Sequence, residues 1–234
     1  MTLQEIWNGP LPPPEVRTGD QMRAVLADPA CAAEHPLYFM YRDVARNDAD
    51  REWLLGCDLR FDITVIPPAT LCGEYVKTKG HYHPASPEGP AYPELYQVLA
   101  GTAHYLLQDR DLADAVVIRA AGGDAVLIPP GYGHVTINPG GGDLVMANLV
   151  STRFASEYAF FEEHRGAAYY EFEGGEWVKN PHSPRHPPLR FVDPVEIPAL
   201  CIRHGRPIYD LIGRYACLAY LNAPAEAMES LAYL

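Results

Sequence analysis

Nine short runs of β-branched and aromatic residues, parted by turn residues and by no long helical pattern, most constrain what this 234-residue chain can become. They are Leu37–Tyr41, Leu59–Val65, Glu74–Thr78, Leu95–Leu99, His104–Leu107, Ala115–Ile118, Asp124–Ile128, His134–Ile137 and Leu144–Val150. Runs of this length and composition fit a pleated, half-buried surface. Without crossover helices between them, they predict antiparallel sheets in a sandwich or barrel, not a parallel α/β sheet.

The flanks read differently. Residues 1–17 carry the Pro-rich stretch Gly9–Pro14 and read as an extended arm. A helix is expected next, with Asp20 as N-cap and Met22, Val25 and Leu26 on one apolar face. It should stop before Pro29. Past Asn180, Pro181–Pro188 reads as a linker. Ile208, Leu211, Ile212 and Tyr215 then have helical spacing, and Asn222 with Pro224 fits the start of a last helix. The expected organisation is an arm and helix over 1–36, a β domain over 37–180, and a C-terminal extension over 181–234. That extension is expected on the β domain or at a dimer interface.

Thirty acidic against eighteen basic residues leave a net charge of −12. Nucleic-acid binding needs a surplus of Lys and Arg, so it is not expected. No apolar stretch reaches membrane-spanning length, and the first residues lack the basic and apolar regions of a signal peptide. The five cysteines are scattered, without metal-type spacing. They read as free buried thiols of a cytoplasmic protein.

Two clusters carry chemistry. The first is Thr78-Lys-Gly-His-Tyr-His83, followed ten residues later by Glu94-Leu-Tyr-Gln-Val-Leu-Ala-Gly101. On a strand, residues i and i+2 face the same way, so His81 and His83 can converge on one point. Glu94 opens the next run and can reach the same point. The second is Gly123–Asn138, where a Pro-Pro-Gly turn leads into His134. Three imidazoles and a carboxylate suit Fe(II), Mn(II), Zn(II) or Ni(II) with positions left open. The other histidines (His35, His104, His164, His182, His186 and His204) stand alone and read as exposed or locally bonded.

At these residues the chain resembles the cupin superfamily. Gly123, Pro129, Gly131, His134 and Asn138 fit G(x)5PxG(x)2H(x)3N, and the first cluster fits HxH and E(x)6G. Only the gap between His83 and Glu94 is longer than usual, which costs a surface loop little. More narrowly, Thr78–His83, Glu94–Tyr96, Leu106–Gln108 and Pro129–His134 resemble the cupin-type glucose-6-phosphate isomerases of archaea and some bacteria, from about Tyr38 to Asn180. The resemblance implies a jelly-roll β-barrel and, by the habit of cupins, a homodimer. It implies one divalent metal, iron before manganese, nickel or zinc, on His81, His83, Glu94 and His134. It also implies phosphate contacts from Tyr38, Thr64, Thr78 and Gly80, with Tyr96 and Tyr158 beside the sugar as candidate catalytic groups that bond it or relay a proton. Val150 and Ser156 stand where that family has a tyrosine and a histidine.

The implied reaction interconverts glucose 6-phosphate and fructose 6-phosphate, through an enediol or by hydride shift. A Lewis acid and a carboxylate base are the groups such chemistry needs, and Glu94 can be base, ligand or both. Lys77, Lys79 and Arg153 flank the motifs and are candidate phosphate neighbours. At physiological salt only charges within roughly 8 Å matter. Two other classes share the metal motif: a cupin dioxygenase or other oxidoreductase, which needs O2, and a non-catalytic binder of sugar phosphate, which shows no turnover. The absence of a Gly-rich phosphate loop argues against a kinase.

Overall fold

The computed structural model describes residues 3–234. Strands β1 (Glu15–Thr18), β2 (Pro36–Tyr41) and β3 (Leu59–Ile66) come first, then the short β4 (Thr70–Leu71) and β5 (Glu74–Tyr75). A run of closely spaced strands follows: β6 (Glu94–Ala100), β7 (Thr102–Asp109), β8 (Ala115–Ala121), β9 (Ala125–Ile128), β10 (Tyr132–Ile137) and β11 (Leu144–Ser151). The last are β12 (Tyr169–Phe172), β13 (Glu176–Lys179) and β14 (Leu189–Val192).

The arrangement is cupin-like. A six-stranded sheet in the order β1-β2-β3-β11-β6-β9 faces a four-stranded sheet in the order β10-β7-β8-β14. A small third sheet, β13-β12-β5-β4, stands beside them. Among the described residues the ladders between these strands are antiparallel, except that β14 lies parallel to β8.

The period of two along each strand sorts side chains onto two cores. On β11, Leu144 and Met146 turn inward to the core between the sheets, while Val145, Ala147 and Leu149 turn outward. The outward set would be exposed in a bare sandwich. It is covered instead by the C-terminal segment, whose Ile208, Leu211, Leu218, Leu221 and Leu231 are buried in the second core. Burying each such side chain contributes roughly 1.5–3 kcal/mol.

Several expectations are corrected here. Glu15–Thr18 belongs to the sheet as an edge strand, so the supposed arm ends earlier. Thr18, not Asp20, occupies the N-cap position of the helix Gly19–Met22, which tightens at once to a 3-10 turn, Arg23–Val25. The apolar face of Met22, Val25 and Leu26 is nonetheless fully buried. Glu74–Thr78 is a strand only over Glu74–Tyr75. The spacing in the extension yields 3-10 turns, at Ile208–Leu211 and Pro224–Ala227, before the short helix Met228–Leu231. Pro207, Gly213 and Pro224 interrupt any longer helix. Asn222 is not a cap: its amide donates to the Cys57 carbonyl, and its oxygen accepts from Ser151.

The cysteines are corrected too. Cys31 pairs with Cys72 and Cys201 with Cys217; Cys57 alone is free. Folding brings the paired Cα atoms to 5.9 and 5.5 Å, within bridging distance. Sequence separation carries no trace of that. The helix Asp48–Gly56, N-capped by Asn47, and the β12–β13 hairpin were not foreseen. No helix among the described residues is long and apolar enough to cross a membrane.

Candidate metal centre

Three elements converge at one end of the space between the sheets. Glu94 begins β6, His134 lies on β10, and His81 and His83 lie on the segment entering from β5. That segment is not a strand. It is held by isolated bridges, His81 to His134 and Tyr82 to Glu157, which keep the extended alternation without a full ladder. His81 and His83 therefore project alike, as the spacing predicts. One ligand atom from each of His81, His83, Glu94 and His134 lies within 4.8 Å of the others.

The rings are oriented for this. His83 Nδ1 lies 2.9 Å from the Tyr92 carbonyl and His81 Nδ1 3.3 Å from the Lys79 carbonyl. Each carbonyl takes a ring proton, leaving Nε2 of both rings for the site. Tyr92 sits in the ten-residue gap between His83 and Glu94, folded into a turn by Ser86–Pro90 and Gly89–Ser86 backbone bonds. The long gap thus supplies the group that orients His83. Glu94 Oε2 lies 3.3 Å from His83 Nε2 and 3.4 Å from His134 Nε2. Its other oxygen accepts a 2.8 Å hydrogen bond from Asn148 Nδ2.

Protonation states suit a cation. Burial, then the charges of His134 and His83, holds His81 well below the ordinary imidazole value. Burial also lowers His134, although Glu94 pulls the other way. Burial works to raise Glu94, but the adjoining imidazoles of His134 and His83 prevail and keep it well below the usual carboxylate range. Near neutral pH the cluster is two neutral rings and a carboxylate, the form that ligates a metal. Glu94 Oε2 is a buried oxygen without a hydrogen-bond partner among the described residues, and His134 Nδ1 is likewise unpartnered. An orphaned carboxylate oxygen facing three imidazoles fits a divalent cation of the borderline type that N/O ligands prefer.

A cavity of about 350 Å³ opens on this cluster. Tyr38, Thr64, Thr78, Tyr96 and Tyr158 all line it, as do Val150 and Ser156. Strand register arranges them: Thr64 pairs with Met146, Tyr96 with Asn148 and Glu94 with Val150. Tyr96 Oη is 3.2 Å from His134 Nε2, and burial together with the Glu94 charge keeps that phenol protonated far above its ordinary value. Gly80 does not line the cavity. A Cβ there would lie 2.3 Å from the Phe161 ring and 2.8 Å from Val135, so close packing is what requires glycine.

Lys77 turns away, paired with the buried Glu74 carboxylate and 4.7 Å from the Tyr170 ring centroid. It is therefore no phosphate neighbour. Arg153 pairs with Asp58 at the surface. Lys79 does line the cavity and bonds Glu162. Asn148, Arg17, Arg42, Arg60 and Phe154 also line it and were not singled out from the sequence. A polar Asn within the apolar run Leu144–Val150 was the one signal on offer. Of the isolated histidines, His104 meets Glu171 at 2.9 Å and His204 meets Asp124 at 2.6 Å, both outside the cavity.

Residues 16–187 match the family model described as Glucose-6-phosphate isomerase (GPI). A glucose-6-phosphate isomerase of Thermococcus gammatolerans is 33% identical over 128 residues, covering 55% of this chain and 65% of that one. One from Thermococcus litoralis is 32% identical over 106 residues, covering 45% and 53%. The chain thus spans under two thirds of the length of these relatives. Among solved structures, an oxalate decarboxylase superposes with a TM-score of 0.40 at 18% identity, over 53% of this chain and 29% of that one. That likeness is too slight to bear on chemistry.

Proposed function

This chain belongs to the glucose-6-phosphate isomerase family, and on that premise we propose that it interconverts glucose 6-phosphate and fructose 6-phosphate. The observation that carries the reading is the convergence of His81, His83, Glu94 and His134 beside a polar cavity that the first three line. We assign these four as ligands of one divalent ion, Fe(II) by preference. What such an ion supplies is Lewis-acid stabilisation of the negative charge that grows on the C1 and C2 oxygens.

The chain's own groups do the rest. Glu94 is ionised, and Asn148 holds one of its oxygens. The second oxygen, Oε2, takes the proton from C2 and returns it to C1, while the hydroxyl proton passes from the C2 oxygen to the C1 oxygen, so that aldose becomes ketose. Positioned acid–base groups of this kind contribute roughly 10²–10⁴-fold. Tyr96, kept protonated, donates a hydrogen bond to a sugar oxygen. Tyr158, at 5.3 Å from His81 between ring centroids, walls the other side.

Phosphate binding by Tyr38 and Thr78 fits their bonding, and Thr64 lines the same cavity. The Tyr38 hydroxyl accepts from the Lys79 N–H at 3.0 Å, and Thr78 Oγ1 accepts from the Thr136 N–H at 2.9 Å. The Thr78 proton is thereby left to donate to an anion, and the Tyr38 proton, which meets only the weak acceptor Met22 Sδ at 3.9 Å, can turn to one. Gly80 acts by letting Phe161 close over the segment.

A cytoplasmic location follows from this substrate, and no longer from free thiols. A homodimer completes the reading and is measurable by sedimentation. The test of function is a coupled assay of fructose 6-phosphate conversion, with and without chelator, in air and under argon. Chelator-sensitive turnover that ignores O2 supports the isomerase. Turnover that needs O2 supports an oxidoreductase, and binding without turnover supports a binder.

A further inference from the structure

We propose that Arg17 is the residue that reads the substrate's phosphate dianion, and so determines specificity for a phosphorylated sugar; this rests on the isomerase reading above. Four basic side chains line the cavity, and three are committed to carboxylates. Arg42 and Arg60 lie 2.7 and 2.9 Å from the one fully buried Asp62 carboxylate. Lys79 is paired with Glu162. Arg17 has no ion pair among the described residues, and its Nε is shielded from solvent without a hydrogen-bond partner.

A guanidinium half-withdrawn from water with a donor left over is poorly satisfied until an anion arrives. Its place in the sheet is apt. Arg17 on β1 is the cross-strand partner of Tyr38 on β2, so both side chains project to the same face. Its charge opposes the upward pull of burial on the Tyr38 hydroxyl, which bonds the backbone next to Thr78. Arg17 therefore stands by the hydroxyls already assigned to the phosphate. Its planar fork can take two phosphate oxygens at once, which a lysine cannot. In a chain of charge −12, one uncompensated cation at the cavity wall also opposes the general repulsion of a dianion.

The test compares wild type, Arg17→Gln and Arg17→Lys as metal-loaded full-length protein. Metal content and circular dichroism are read first. Loss of one charge-assisted pair predicts a fall of about 10- to 100-fold in kcat/KM for fructose 6-phosphate in Arg17→Gln. The inhibition constant of inorganic phosphate should rise in parallel, with Arg17→Lys intermediate. A purely structural role would leave phosphate inhibition unmoved, and that result overturns the proposal. If Arg17→Gln fails to fold, Arg17→Lys with phosphate inhibition equal to wild type overturns it equally. Calorimetric titration of wild type and Arg17→Gln with inorganic phosphate needs no turnover. Should the wild type prove inactive, weaker phosphate binding in Arg17→Gln still supports Arg17, and equal binding refutes it.

Discussion

Asn148 donates a 2.8 Å hydrogen bond to Glu94 across β11 and β6, and both side chains are buried. One carboxylate oxygen is thereby fixed and the other is turned toward the three imidazoles. Groups that orient a ligand in this way commonly carry 10- to 100-fold in metal affinity. Asn148→Leu should therefore weaken metal binding by about that factor while the protein stays folded. Competition against a chelator of known affinity measures it, and an unchanged dissociation constant refutes the role.

His81→Ala and His134→Ala should each lose the metal and the activity together. Chelation of the wild type should do the same, and readdition of Fe(II), Mn(II) or Ni(II) should restore turnover. Elemental analysis beside the coupled assay checks both. Full activity in a metal-free preparation removes the centre from the mechanism.

Glu94→Gln separates base from ligand. The amide keeps one oxygen for the metal but cannot take a proton near neutral pH. A fall of roughly 10²–10⁴-fold in kcat with metal still bound identifies a base. A change in metal affinity alone, with kcat recovered at saturating metal, leaves Glu94 as a ligand only.

The Cys201–Cys217 disulfide, sixteen residues apart in sequence, closes a loop within the extension that covers the outer face of the six-stranded sheet. Closing a loop of this size stabilises by about 3 kcal/mol in the chain-entropy account. Cys217→Ser should lower the denaturant midpoint by that order of free energy. In the variant, reductant should then have less further effect than in the wild type. Identical midpoints in oxidised wild type and variant refute the contribution.

A pH-dependent part of stability lies at β14. Hydrogen bonds from Arg190, ahead of the one from Tyr132, hold the Asp114 carboxyl below the usual carboxylate range. A depressed carboxylate stabilises above its unfolded value of about 3.9, and that contribution fades as pH falls through the folded value. Both partners reach solvent, so Asp114→Asn should cost no more than about 1 kcal/mol at neutral pH. The gap to wild type should close as pH falls through the folded value, which lies below the unfolded one. A gap that persists in acid assigns the loss to packing.

The sequence by itself determined the strands and the cluster of His81, His83, Glu94 and His134. Eight of the nine runs became strands with closely matching ends, because a period of two and β-branched residues are local properties. His-x-His survived the loss of its strand, since extended backbone alternates with or without a ladder partner. Tertiary structure decided the rest. Asn148 meets Glu94, and Arg17 meets Tyr38, only through the register of strands distant in sequence. Lys77 lies apart from the cavity because the buried Glu74 carboxylate, brought beside it by the fold, pairs with it. Cysteine pairing and the burial of the extension likewise depend on which surfaces meet, and no local pattern encodes that.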